Sequence, residues 1–322
     1  MRHSIDELEH LGKEARRTAL EMIASLGKGH VGGALSIVDL LVVLYYEEMN
    51  VDPANPQMPG RDRLVLSKGH GGPGLYSVLT MKGYFDRKEI YTLNKPGTIL
   101  PSHCDRKLTP GIDMTTGSLG QGLSAAIGMA LADRIDQNGA YTYCIIGDGE
   151  SQEGPIWEAG MYAAQAGLGH LIAALDLNGQ QIDGPVDSIN SLRNAADKWR
   201  AFGWNVQEID GHDYQQIYDA IEKAKQCTDR PNMLVMRTVK GKGWKRIEGT
   251  TASHSRRLPQ RISRKHCATC NRKGTGGEGY YGNSKGRDEE GLLRYSPGAG
   301  KDRRSDCHHQ FRLEKYYGDR SL

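Results

Sequence analysis

Along the first 26 residues apolar side chains return at helical spacing. Leu8, Leu11, Ala15, Ala19 and Met22 follow Ser4, a residue type that caps helix starts, so a first helix is predicted to end near Leu26. "LSIVDLLVVLYYEEM" (35–49) predicts a second, more buried helix. "RLVLS" (63–67) is short and β-like, and "GPGLYSVLTMKGYF" (72–85) reads as a helix. "LGQGLSAAIGMALADRI" (119–135) is helical and rich in small residues, a surface against which another helix can pack closely.

From Tyr141 the alternation becomes regular. Strands are predicted at "YTYCII" (141–146), "HLIAALDL" (170–177), "NVQEI" (205–209) and "NMLVMRTV" (232–239). Helices are predicted between them at "PIWEAGMYAAQAG" (155–167), "LRNAADKWRAFG" (192–203) and "DYQQIYDAIEKAKQ" (213–226). Apolar runs of strand length separated by helices mark a parallel sheet covered on both faces, an α/β fold of three layers. Ligands of such sheets bind at the carboxyl ends of the strands.

After "VKGKGW" (239–244) the periodicity stops, which divides the chain into a domain over 1–244 and a basic, low-complexity tail over 245–322. The tail holds 18 Lys and Arg against 9 Asp and Glu, leaving 24 against 30 for the domain, so the overall charge of +3 hides an acidic body. Apolar residues in the tail are too sparse to bury a core, and disorder is the first expectation. A basic run of this kind is usually a solvated one, so no nucleic-acid partner is expected. No stretch is apolar and long enough to span a bilayer, and the opening residues lack the apolar core of a signal peptide, so no membrane and a cytoplasmic address are expected. Six cysteines in 322 residues do not make a disulfide scaffold.

The candidate chemistry begins at "GDGESQEG" (147–154), directly after a predicted buried strand. Gly147 and Gly149 let the backbone turn and approach a ligand, and Asp148 emerges at the strand's carboxyl end. The next strand ends in "DLNGQQIDG" (176–184), which brings Asn178 and the Gln180 carbonyl to the same rim. Hard oxygen donors of this kind suit Mg²⁺ bridging to a phosphate. A glycine turn with an aspartate is a weak signal alone; the Asn-Gly about thirty residues later makes it a specific one.

At that spacing the chain resembles the thiamine diphosphate enzymes. "GKGHVGGALSIVDLLVVLYY" (27–46), "DRLVLSKGHGGPGLYSVL" (62–79) and "PSHCDRKLTPGIDMTTGSLGQGLSAAIGMALA" (101–132) resemble the diphosphate-binding domain of transketolase, in order and over about residues 8–243. The resemblance implies a thiamine diphosphate-binding fold, the cofactors thiamine diphosphate and Mg²⁺, and ketol transfer between phosphorylated sugars. It implies Asp148, Asn178 and Gln180 as metal ligands, and His30, His70 and His103 around the diphosphate and the sugar's reacting carbons. Gly117 and Leu119 match the segment along the cofactor rings, and also read as a helix-entry loop. Glu153 matches a glutamate that links two active sites across a dimer; a charge in the first turn of a helix reads equally well.

The part of transketolase that binds the pyrimidine ring, with its activating glutamate, has no counterpart after residue 244. The resemblance therefore implies half of a split enzyme, inactive alone, whose partner is a separate pyrimidine-domain polypeptide, with two copies of each in a heterotetramer. A deoxyxylulose-phosphate synthase-like subunit, or a non-catalytic scaffold half, is the alternative. In the tail, Cys267, Cys270 and Cys307 with His308 or His309 superficially satisfy a tetrahedral zinc set. His254 is followed by Ser255 where the family has a His-Gly pair, so no role is assigned to it. Two readings of the tail stay open, a native extension and a change of reading frame downstream of Trp244.

Overall fold

The computed structural model describes residues 1–258. Nine α-helices lie among them: α1 (Ile5–Leu26), α2 (Gly32–Leu35), α3 (Val38–Val43), α4 (Gly72–Lys82), α5 (Gly122–Asp136), α6 (Gly154–Gln165), α7 (Val186–Asn190), α8 (Ala195–Ala201) and α9 (Tyr214–Gln226). The strands are β1 (Lys28–Gly29), β2 (Arg63–Leu66), β3 (Thr142–Gly147), β4 (Leu171–Leu177), β5 (Asn205–Asp210), β6 (Asn232–Arg237) and β7 (Arg256–Arg257). Strands β2 to β6 form one sheet in the order β2-β3-β4-β6-β5, every pairing parallel.

The period-two pattern of the strands explains the three layers. Tyr143, Ile145, Ile172, Ala174, Leu234 and Met236 face a core built with α1, α3, α4 and α9. Their neighbours Cys144, Ile146, Ala173, Leu175, Met233 and Val235 face a second core built with α5, α6 and α8. Burying both faces of a strand stabilises by roughly 1.5–3 kcal/mol for each large apolar side chain, which is why these strands carry almost no polar residue.

Helix α1 starts where Ser4 caps it: the Ser4 hydroxyl accepts the Glu7 N–H, and Glu7 reaches back to the Ser4 N–H. The helix expected over 35–49 is broken into α2, α3 and a π-helical turn, Leu44–Glu48. That turn aims Glu47 at the first residues, where its carboxylate accepts the backbone N–H groups of Arg2 and His3. Local hydrogen bonding here overrides a hydrophobic pattern that alone favours one continuous helix.

The folded body continues past residue 244. Thr251–Ser253 form a 3₁₀ turn, and β7 pairs antiparallel with β1, Lys28 opposite Arg257 and Gly29 opposite Arg256. Disorder, the first expectation for the tail, therefore does not hold over 245–258. Two-residue strands are too short to leave a periodic signal. The cysteines of the suggested zinc set lie outside the described residues. Among the described residues no helix is long and apolar enough to cross a membrane.

Candidate active site

The carboxyl ends of β2, β3, β4 and β6 open into a cleft of about 340 Å³. Gly147 pairs with Asp176, so the chain leaves two neighbouring strands side by side, through Asp148 from β3 and Asn178 from β4. The Asp148 carboxylate accepts the Gly179 N–H at 2.5 Å and its neighbour Gly149 N–H at 2.7 Å. Asn178 donates through Nδ2 to Asp176 at 2.9 Å, which fixes the orientation of its amide and leaves Oδ1 accepting the Gln180 N–H at 3.1 Å. The Gln180 carbonyl accepts the Lys240 ammonium at 2.9 Å. One carboxylate, one amide oxygen and one backbone carbonyl thus meet at two strand tips, a donor set suited to a hard divalent cation.

Four imidazoles line the same cleft. His30 follows β1, His70 lies in the 3₁₀ turn Gly69–Gly71 after β2, and His103 lies in the loop before α5. The His30 ring centroid is 5.5 Å from that of His70 and 5.4 Å from that of His103. The fourth is His254, 5.3 Å from His30 and 5.1 Å from His70, carried there by the turn that precedes β7. Gly117 and Leu119 border the cleft on the loop into α5, and Glu153 borders it at the start of α6. The eleven site residues expected from the sequence therefore surround one cleft.

The sequence reading missed Lys68, Glu150, Asp176 and Lys240 and gave His254 no role, though all five lie close to the same chemistry. Lys68 is 2 % exposed and pairs with the fully buried Asp176 at 2.5 Å, with a further bond to the Gly33 carbonyl at 2.8 Å. Asp176 also accepts the hydroxyls of Ser36 and Thr238. Glu150 accepts the Ser67 hydroxyl and the N–H groups of Gly120, at 3.0 Å, and Gly147, at 2.9 Å. It ties the loop bearing Leu119 to the end of β3. Gly120 makes that loop possible: at φ +88° it occupies the left-handed region, and a Cβ there would stand 2.8 Å from the Glu153 Cβ. The signal for the two lysines was present in "SKGHGG" and "VKGKGW", where each cation sits among glycines just past a strand.

A family model described as transketolase, thiamine diphosphate binding domain, matches residues 9–265. The chain belongs to that family. It is 53% identical over 268 residues to the 6-deoxy-6-sulfo-D-fructose transketolase subunit SqwG of Clostridium sp. (strain MSTE9), covering 83% of this chain and 98% of that one. It is 38% identical over 250 residues to one of the subunits of the apulose-4-phosphate transketolase of Phocaeicola vulgatus, covering 78% of this chain and 89% of that one. Among solved structures, the transketolase of Campylobacter jejuni superposes with a TM-score of 0.75 at 32% identity. The match covers 79% of this chain and 41% of that one, so this chain spans about two-fifths of the solved transketolase. The parallel sheet and its helices are a thiamine diphosphate-binding fold.

Electrostatics in this transketolase-type site favour neutral imidazoles and a neutralised acid. Burial, then the charge of Lys68, pushes His70 well below the usual histidine range. Burial and the nearby Lys240 push His254 down to about 4, and burial lowers His30 and His103. Neutral imidazoles can each donate from one nitrogen and accept at the other, which suits sugar hydroxyls and carbonyls. Burial and repulsion from Asp176 raise Asp148 to about 6. Burial lowers Lys240 to about 8. Burial alone would raise Asp176, but Lys68 beside it holds its carboxyl below the ordinary value.

A second hollow of about 330 Å³ lies at the amino ends of β3 and β4, around Ala140 and His170. Its charged groups are spent on the fold: Arg134 donates to the Ala166 carbonyl, and Asp133 accepts Arg63.

Proposed function

We propose that this chain is the diphosphate- and magnesium-binding subunit of a split transketolase, which transfers two-carbon ketol units between phosphorylated sugars together with a separate pyrimidine-domain subunit. The observation that carries the reading is the convergence of Asp148, Asn178 and the Gln180 carbonyl at adjoining strand tips, in a cleft that four histidines also line. Lys240 supports the metal assignment, because its ammonium rests on the Gln180 carbonyl and so marks a position that favours positive charge. The Gln180 Oε1 and His254 Nδ1 are buried and without a hydrogen-bond partner, as expected of atoms that face a ligand.

Asp148, Asn178 and Gln180 would hold Mg²⁺, and Lys68, Lys240 and His70 would face the diphosphate. Gly147 and Gly149 let the backbone come close to it, and Gly117 with Leu119 would flank the rings. Thiamine diphosphate, when bound, supplies an electron sink for breaking and making the carbon–carbon bond. The protein's part is to orient the sugar, to exclude water and to place protons. His30 and His103, both neutral near pH 7, would donate to or accept from the sugar's hydroxyl and carbonyl oxygens. Glu153, exposed at the mouth of the cleft, is placed to meet a second subunit.

The subunit reading is supported by relatives named as transketolase subunits, which this chain covers almost end to end. The terminal sulfonate in the first relative's name suggests a sulfonated ketose as a donor to try beside the phosphorylated ones. The test is reconstitution: the purified chain is assayed for ketol transfer alone and with a pyrimidine-domain polypeptide. Activity only in the mixture is expected; turnover by the single chain would overturn the split assignment.

A further inference from the structure

Lys240 reaches the cleft from the turn after β6, and that turn is gripped from behind. The Val239 N–H donates to His212 Nε2 at 2.8 Å. An amide N–H can only donate, so Nε2 is the acceptor nitrogen of this imidazole, and Nδ1 carries the proton that meets Asp39 Oδ2 at 2.7 Å. Asp39 is 2 % exposed and receives two guanidinium bonds from Arg16, at 2.8 and 2.5 Å, and the Tyr214 hydroxyl at 2.5 Å. Arg16 also donates through Nε to the Lys242 carbonyl at 3.1 Å. One buried carboxylate therefore organises two groups that hold the turn at residues 239 and 242, on either side of Lys240. Neither His212, Asp39, Arg16 nor Tyr214 lines the cleft.

We propose that His212 is a positioning residue for the diphosphate subsite, acting through the Val239 amide to fix the backbone from which Lys240 reaches the Gln180 carbonyl. The inference rests on the cofactor reading above and goes beyond it, since His212 has both ring nitrogens committed and no atom free for a ligand. A group set back from the ligand matters because a charge displaced by about 1 Å loses much of its value to a bound anion. The packing around Lys240 leaves little slack: a Cβ on Gly32 would lie 2.7 Å from its Cγ.

The test is calorimetric titration of the full chain with magnesium thiamine diphosphate. A glutamine amide reaches the position of the imidazole Nε2, whereas an asparagine amide reaches that of Nδ1. H212Q keeps the acceptor for Val239 and is expected to bind within about twofold of wild type, whereas H212N loses it and weakens binding about tenfold, a change of about 1.4 kcal/mol. The loss should vanish when Lys240 is already methionine, so K240M and H212N/K240M bind alike, and exchange of the Val239 amide should quicken in H212N but not in H212Q. R16K, which deletes the bond to the Lys242 carbonyl and keeps the charge, should show the same dependence on Lys240 and remains readable should H212N fail to fold. Wild-type binding by H212N, or a loss that adds in full to that of K240M, overturns the inference while leaving the cofactor reading intact. Absence of binding by the wild-type chain, both alone and mixed with the pyrimidine-domain polypeptide, overturns both.

Discussion

The carboxylate of Asp148, at the tip of β3, accepts the backbone N–H of Gly179, just past the tip of β4, at 2.5 Å. The acid thus braces the adjacent strand end while presenting its charge to the cleft. Without a cation that charge is a burden: burial and the nearby Asp176 raise its pKa to about 6, so at pH 7.5 the folded chain holds an ionised group it would prefer neutral. D148N should therefore leave the unfolding midpoint of the metal-free chain unchanged or higher at pH 7.5. The same substitution removes the one anionic oxygen donor of the proposed set. Magnesium-dependent binding of thiamine diphosphate should fall at least about tenfold, since charge-assisted contacts contribute roughly 1.5–3 kcal/mol. Calorimetry with thermal unfolding reads both quantities, and a variant that unfolds early yet still binds the cofactor tightly would contradict the assignment.

Lys68 and Asp176 form a buried ion pair at 2.5 Å, and removing one partner strands the other. K68M leaves Asp176 with two hydroxyls and an amide but no countercharge, and should cost about 3–5 kcal/mol in urea unfolding. K68M/D176L, which removes both charges, should be less destabilised than K68M. A double variant worse than the single one would mean that the hydrogen bonds of Asp176 to Ser36, Thr238 and Asn178 outweigh its charge pair.

His30 and His103 stand 5.4 Å apart and have no role in the sheet or its cores. In the reconstituted complex, H30A and H103A should each lower kcat/KM by about 10²- to 10⁴-fold, the usual contribution of a placed proton donor or acceptor. Their effect on cofactor affinity should be small, because Asp148 and Asn178 remain. Steady-state kinetics beside calorimetry of the same variants separates the two.

The sheet was legible because β3, β4 and β6 are apolar on both faces and each connection carries a helical period, so Tyr143 and Cys144 could be assigned to opposite layers from sequence alone. The cleft residues were legible where glycine marks a strand exit, as at Asp148 and Asn178. Asp176 and Glu150 were not, because a buried charge gives no sign in sequence of the partner that neutralises it: Asp176 is paired with Lys68, 108 residues away. His254 was named but given no role, for another reason. Its position depends on the pairing of β7 with β1, two residues on each side, and on the Leu258 N–H donating to the Gly27 carbonyl at 2.9 Å. The break in the helix expected over 35–49 was equally silent, since it answers to Glu47 capturing a distant chain end.

The four imidazoles give the chain an acid-sensitive side. Burial and neighbouring lysines hold His70 and His254 below their unfolded values, with His254 at about 4. Between that value and about 6.5 the unfolded chain binds protons that the folded chain refuses, so stability rises with pH across the window and is lost as pH falls through it. The histidines lower the unfolding midpoint as the pH falls from 7 to 5, whereas Asp148, raised to about 6, adds stability as it is protonated over the same range, so the histidine share is read as a difference between variants. H254N removes one such group without changing charge at neutral pH, and should give a shallower fall over the same range. Added magnesium thiamine diphosphate should raise the midpoint at pH 7 and do so less at pH 5, because Asp148, near 6, must lose its proton to bind the metal. Thermal unfolding of wild type and H254N at half-unit pH steps, with and without cofactor, measures all three slopes; equal slopes in wild type and H254N would remove His254 from the account.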